Sequence, residues 1–159
     1  MGREVRRVPA NWQHPKDERG RFIPLFDGVD YERRANDWDE GAAKWARGEF
    51  PDYADEESKK LTYEEWDGER LTAEDYMPNW PDSERTHYMM YEDTSEGTPI
   101  SPAFATPEEL AQWLADTGAS AFGSSTASYE AWLRVAKGGY APSAVYTPEH
   151  GLQSGVEAL

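Results

Sequence analysis

Apolar positions recur at helical spacing in three stretches of the chain. Tyr31, Ala35, Trp38, Ala42 and Trp45 fall at offsets of 0, 4, 7, 11 and 14 residues, which places them on one face of a helix. Asp30 stands at its N-cap and Gly48 where it would end. The opposite face mixes Glu32, Asp37, Asp39 and Glu40 with Arg33, Arg34 and Lys44. Further on, Thr106-Pro107-Glu108-Glu109 reads as a helix start: a capping threonine, a proline at the first helical position, and a glutamate placed to close a capping box. That helix would bury Leu110, Trp113 and Leu114 and stop at Gly118. A third helix is predicted from Ser128, burying Tyr129, Trp132, Leu133 and Ala136 and ending at Gly138-Gly139.

Between these stretches the pattern shortens to that of strands. Residues 4–8 predict an N-terminal strand, followed by a loop punctuated by Pro9, Pro15 and Pro24. Residues 86–93 have strand composition, and a turn at 95–97 leads into 99–104, where Pro99 and Pro102 confine the second strand of a hairpin to a sheet edge. Residues 144–146, a turn at 148–151 and residues 152–156 predict a closing hairpin. The segment 49–86 has few aliphatics but carries Phe50, Tyr53, Tyr63, Trp66, Tyr76 and Trp80. It reads as short helical turns and loops, either folded rings-inward over the core or the most mobile part of the molecule. No internal repeat occurs. The expectation is one compact α+β domain over residues 1–159, with short antiparallel hairpins, about three helices and an acidic, loop-rich middle.

Composition sharpens this picture. Among 159 residues there are 8 Leu, 2 Ile, 6 Val and 5 Phe, too few for an ordinary core, but 7 Trp and 9 Tyr supply rings that bury large areas. A thin, aromatic core follows. Because the chain has no cysteine, it can form no disulfide framework, thiolate zinc site, iron–sulfur cluster or cysteine nucleophile. No run approaches the ~20 apolar residues that span a bilayer. No signal peptide is recognisable, so the expected compartment is the cytoplasm.

The charge is concentrated. The formal net is −15, from 31 acidic and 16 basic side chains. Residues 1–26 carry +3, residues 27–100 carry −14 and residues 101–159 carry −4.

Several segments together resemble a group of small, acidic, uncharacterised phage- and prophage-encoded proteins. They are Arg3-Glu4-Val5-Arg6-Arg7-Val8-Pro9, Ile23-Pro24-Leu25-Phe26-Asp27, Ser95-Glu96-Gly97-Thr98-Pro99-Ile100-Ser101-Pro102 with Glu108-Glu109-Leu110 after it, and Gly139-Tyr140-Ala141-Pro142-Ser143. The resemblance implies phage origin and a bacterial host cytoplasm, and supplies no activity.

The residues that approach enzyme signatures have simpler readings. The chain has no phosphate-binding loop, dinucleotide fingerprint, serine elbow or zincin motif. Gly151-Leu152-Gln153-Ser154-Gly155 approaches an elbow with the wrong spacing. Asp52, Glu57 and Lys59 approximate a nuclease metal site, but leave too little chain to build paired strands, so a solvated charged turn is preferred. Asp37-x-Asp39-Glu40 lacks the glycine and distal glutamate of a calcium loop. His14, His87 and His150 are read as scattered imidazoles. The basic N-terminal segment with Trp12 resembles a single-strand clamp, yet the molecule's overall field repels a polyanion. Its arginines are expected to pair with the protein's own acidic face.

The acidic middle remains. Duplex DNA carries one negative charge per ~1.7 Å of axis, and proteins that grip it do so with arranged lysines and arginines. A carboxylate surface of similar spacing is attracted to the same basic groove. The expected function is a non-enzymatic, phage-type inhibitor, an anti-CRISPR or anti-restriction candidate, that mimics DNA to occupy a basic, nucleic-acid-binding host protein. It would need no cofactor or metal and would touch neither nucleic acid nor membrane directly. The expected contact carboxylates are Asp37, Asp39, Glu40, Asp52, Asp55, Glu56, Glu57, Glu64, Glu65, Asp67, Glu69, Glu74 and Asp75, with Tyr53, Trp66 and Trp80 as apolar anchors. The alternatives are a phage assembly module associating through edge strands near Pro99 and residues 144–146, and a metal-dependent hydrolase.

Overall fold

The computed structural model describes residues 2–94 and 97–158, and its class is α+β. The turn expected at 95–97 falls partly outside the described residues. The chain groups into two compact units. One comprises Met1–Leu25 with Trp80–Leu159, the other Phe26–Asn79. These packing boundaries differ from the charge boundaries at residues 26 and 100, because residues 80–100 supply a strand to the first unit.

The first unit is built on a four-stranded antiparallel sheet of order β3-β2-β1-β4, with β1 at Gly2–Val8, β2 at His87–Glu92, β3 at Thr98–Pro99 and β4 at Tyr140–Pro142. In the β1–β2 register Val5 lies opposite Met90 and Arg6 opposite Met89. Side chains alternate across a strand, so Val5, Tyr88 and Met90 face one way and Arg6, Val8, Met89 and Tyr91 the other. The first face is covered by α3 (Pro107–Asp116), α4 (Tyr129–Gly138) and α5 (Gly155–Ala158), which bury Leu110, Ala111, Leu114, Ala131, Trp132, Val135, Ala136 and Val156 against Met90 and Ala141. The second face is covered by the proline-punctuated loop. There Trp12 Nε1 donates to the Tyr91 hydroxyl at 3.1 Å, and His14 lies 3.0 Å from the same oxygen. Both faces being covered, β2 reads as a nearly continuous apolar run.

The helix predictions hold closely. Ser128 caps α4 by accepting from Ala131 N, and Gly139 ends it in a left-handed conformation. Thr106 caps α3 by accepting from Glu109 N, but only this half of the expected capping box is formed. Trp113, Tyr129 and Leu133 are half-buried, and Val135 takes a core place that the pattern did not assign.

Two strand expectations are corrected and one further strand is found. The hairpin's second strand is β3 alone, not 99–104. Pro99 and Pro102 have no N–H to give, and the Ser101 hydroxyl accepts from Met90 N at 2.9 Å in place of a backbone partner. Pairing resumes only as an isolated bridge between Tyr88 and Phe104. The closing hairpin forms from β5 (Ala144–Thr147) and β6 (Gly151–Ser154), but its second strand stops at Ser154 instead of running to 156. There the Ser154 hydroxyl accepts from Glu157 N and starts α5. Finally, residues 140–142 form β4, which pairs with the start of β1.

The second unit contains α1 (Tyr31–Ala46) and α2 (Tyr63–Asp67), joined and followed by single 3-10 turns at Ser58–Lys60 and Ala73–Asp75. Asp27 caps the 3-10 turn Gly28–Asp30 that leads into α1. Among the stripe residues, Ala35 and Trp45 are buried and Tyr31, Trp38 and Ala42 half-buried, as the spacing requires. Thr62 with Glu65 and Thr72 with Asp75 form complete capping boxes. The unit closes where Phe26 N donates to the Asp75 carbonyl at 2.9 Å and Met77 N donates to the Phe26 carbonyl at 2.9 Å. The thin aromatic core expected for the whole chain is realised here. Trp45 and Trp66 stack at 4.7 Å between centroids, Trp45 meets Phe50 edge-on at 4.6 Å, and Trp38 meets Tyr63 at 5.1 Å. The Trp38 and Trp45 indole N–H groups donate to the Gly68 and Leu61 carbonyls, each at 3.0 Å. These two rings thus bury area without leaving their polar atoms orphaned, whereas the buried Tyr76 hydroxyl of the same unit has no hydrogen-bond partner among the described residues.

Candidate functional site

Within Phe26–Asn79 there are 17 carboxylates and 7 lysines and arginines, a net of −10 over 54 residues. All thirteen expected contact carboxylates belong to this unit and all are exposed. Asp37, Asp39 and Glu40 lie on α1. Asp52, Asp55, Glu56 and Glu57 lie on the turns that follow it, Glu64, Glu65 and Asp67 on α2, and Glu69, Glu74 and Asp75 on the return to Met77.

They divide into two sets. Five are held by cations of the same unit: Asp37 by Arg33 at 3.6 Å, Asp39 by Arg70 at 2.8 Å, Glu40 by Lys44 at 3.8 Å, Glu56 by Lys59 at 2.8 Å and Glu57 by Lys60 at 2.7 Å. The Arg70 guanidinium bonded to Asp39 holds that carboxyl below the usual aspartate range. The other eight, Asp52, Asp55, Glu64, Glu65, Asp67, Glu69, Glu74 and Asp75, make no ion pair among the described residues. Three of them are fixed by backbone donors: Asp55 accepts from Ser58 N at 2.7 Å, Glu65 from Thr62 N at 2.8 Å and Asp75 from Thr72 N at 2.8 Å. Hydrogen bonds to Ser58 hold the Asp55 carboxyl below its ordinary range. Helix and turn starts therefore position charge that lies outside any ion pair among the described residues.

The three anchors separate. Tyr53, 81% exposed, stacks on Trp66 at 5.8 Å. Trp80 belongs to the other compact unit, where it meets Trp12 edge-on at 4.8 Å. Tyr53 and Trp66 instead line a cavity of about 470 Å³ together with Trp45, Phe50 and Tyr63, at whose rim stand Lys44, Glu49 and Asp67. This recess was not legible in the sequence. The rings that build it come from three separate segments, α1, the loop after it and α2, and only the helical stripe through Trp45 carried a spacing signal.

The alternative chemistries find little assembly. Asp52, Glu57 and Lys59 lie in consecutive turns, and Lys59 and Glu57 are paired with Glu56 and Lys60. Among the described residues, no group of three His, Asp or Glu side chains is placed to hold a metal ion. The Ser154 hydroxyl caps α5. Of the N-terminal arginines, Arg6 pairs with Glu4 at 2.7 Å and Arg21 with Asp17 at 3.0 Å, local partners in the N-terminal segment itself and not the acidic face expected for them. No described helix is long and apolar enough to cross a membrane.

No family model, no curated protein and no solved structure matches the chain.

Proposed function

We propose that the protein is a phage-type, non-enzymatic inhibitor whose acidic unit, Phe26–Asn79, occupies the nucleic-acid site of a basic host protein in the bacterial cytoplasm. The observation that carries this reading is the set of eight exposed carboxylates between Asp52 and Asp75 that make no ion pair among the described residues, in a unit of net charge −10. Surface ion pairs on the other five do not change that net charge. Within a Debye length, ~8 Å at physiological salt, a basic partner responds to the net charge of the unit, and beyond it that field is screened. Capping bonds at Asp55, Glu65 and Asp75 support the reading further, since preset charges lose less freedom on binding.

Affinity purification from a bacterial lysate, once at low and once at high salt, tests it. Recovery of nucleic-acid-binding proteins that are lost in the high-salt wash is the expected result; captured proteins without nucleic-acid-binding activity contradict it.

A second reading, a self-associating phage assembly module, is favoured by one feature. Tyr146 and Leu152 lie opposite each other in the β5–β6 register and are 72% and 65% exposed. A concentration-independent monomer in light scattering eliminates that reading.

A further inference from the structure

We propose that the cavity formed by Trp45, Phe50, Tyr53, Tyr63 and Trp66 is a binding site for a guanidinium group, supplied by an arginine of the basic partner. This deepens the proposed function and rests on it for the source of the arginine. The cavity, about 470 Å³, lies in the size range of small-ligand sites. Its lining is aromatic: Trp45 and Trp66 stack on one another with 27° between their planes, whereas Tyr53, 81% exposed and stacked on Trp66 with 26° between the planes, keeps its outer face open. A planar cation over such faces is attracted by the ring quadrupole.

Charge selects the occupant. Glu49 and Asp67 stand at the rim, and the surrounding unit carries −10, so a phosphate or carboxylate is repelled. Of the two rim acids, Glu49 is held by Arg47 at 3.0 Å, whereas Asp67 interacts with the Tyr63 hydroxyl and makes no ion pair among the described residues, so its charge is not offset by a cation. Lys44, also at the rim, has its ammonium 3.8 Å from Glu40. The unit already places its own cations on rings. The Arg34 guanidinium lies 4.4 Å from the centroid of Phe26, and the Lys59 ammonium lies 5.7 Å from that of Phe50, a wall of the cavity. Arginine is preferred over lysine because its flat, weakly hydrated head stacks on rings while bonding a carboxylate at its edge.

The test titrates the full-length protein with N-acetyl-arginine amide, following the tryptophan indole N–H resonances by NMR. N-acetyl-citrulline amide, the uncharged isostere, runs beside it. Saturable shifts with the arginine ligand are expected, about three-fold weaker for citrulline and about three-fold weaker in Tyr53→Ala and in Asp67→Asn. No saturable shift, or equal binding of citrulline, overturns the assignment. The double variant Glu64→Gln/Glu74→Gln changes carboxylates that do not line the cavity. It is expected to lose capture of the basic partner at low salt while keeping its affinity for the arginine ligand. Arginine binding by a wild-type protein that captures no basic partner overturns the proposed function alone; capture without arginine binding overturns the cavity assignment alone.

Discussion

Arg70 grips Asp39 with both prongs of its guanidinium, Nε at 2.8 Å from Oδ1 and Nη2 at 3.0 Å from Oδ2, across 31 residues of chain. The pair ties the exposed face of α1 to the segment after α2, and it spends a carboxylate that the charge pattern alone assigns to a partner. In a pH titration followed by carboxylate NMR, Asp39 is expected to titrate below an ordinary aspartate, with Arg70→Ala returning it to the usual range. Asp39→Asn is expected to weaken partner binding less than Glu64→Gln, whose carboxylate has no internal partner. An equal loss in the two variants would show that the internal pair does not matter to recognition.

His14 is 6% exposed, its Nε2 donating to the Ile23 carbonyl at 2.6 Å and its Nδ1 accepting from the Tyr91 hydroxyl at 3.0 Å. Both nitrogens are used by the neutral ring. Burial pushes its pKa below the ordinary 6.5, and the nearby Arg6 adds to this, against the opposing pull of the Ile23 carbonyl. The unfolded chain then binds the proton more readily than the folded one. Stability is therefore expected to fall as pH drops from about 6.5 towards the folded value of His14, and to stop falling on its account below that. Urea unfolding at a series of pH values checks this, and His14→Phe should flatten the dependence in that window.

Gly28 is buried against the carbonyls of Met77 and Pro78, and a Cβ there would collide with both oxygens. Backbone cannot swing aside as a side chain would. Gly28→Ala is expected to cost ~1–3 kcal/mol and to loosen the turn that closes the acidic unit, read by urea unfolding and by hydrogen exchange at Met77 N.

Trp132 is fully buried, and its indole N–H has no hydrogen-bond partner among the described residues. Trp132→Ala is expected to cost ~3–5 kcal/mol. Trp132→Phe removes the orphaned donor, whose desolvation costs ~1–3 kcal/mol, and so offsets much of its lost volume. Its unfolding free energy should therefore lie much closer to wild type than that of Trp132→Ala. Equal losses would mean that the donor is satisfied in solution.

What could be read from the sequence follows from how local each signal is. The α1 stripe, the Thr106 and Ser128 caps and the edge position of Pro99 are set by neighbours a few residues apart, and all four are found in the structure. The shortening of the second hairpin strand depends on Ser101 reaching Met90, and β4 exists because residues 140–142 meet residues 2–4 from the far end of the chain. Such long-range pairings leave no periodicity. The same holds for the candidate site: composition located the acidic stretch, but which carboxylates are spent, as Asp39 is on Arg70, and which rings enclose a cavity depend on contacts between separate elements.

The central claim, that the carboxylates from Asp52 to Asp75 stand in for a phosphate backbone, is tested most directly by competition. With a captured partner purified, binding of this protein is measured against increasing duplex DNA at fixed salt. Mutually exclusive binding, with displacement by DNA and a steep loss of affinity as salt rises, is the expected result. A stable ternary complex of partner, DNA and this protein would contradict it.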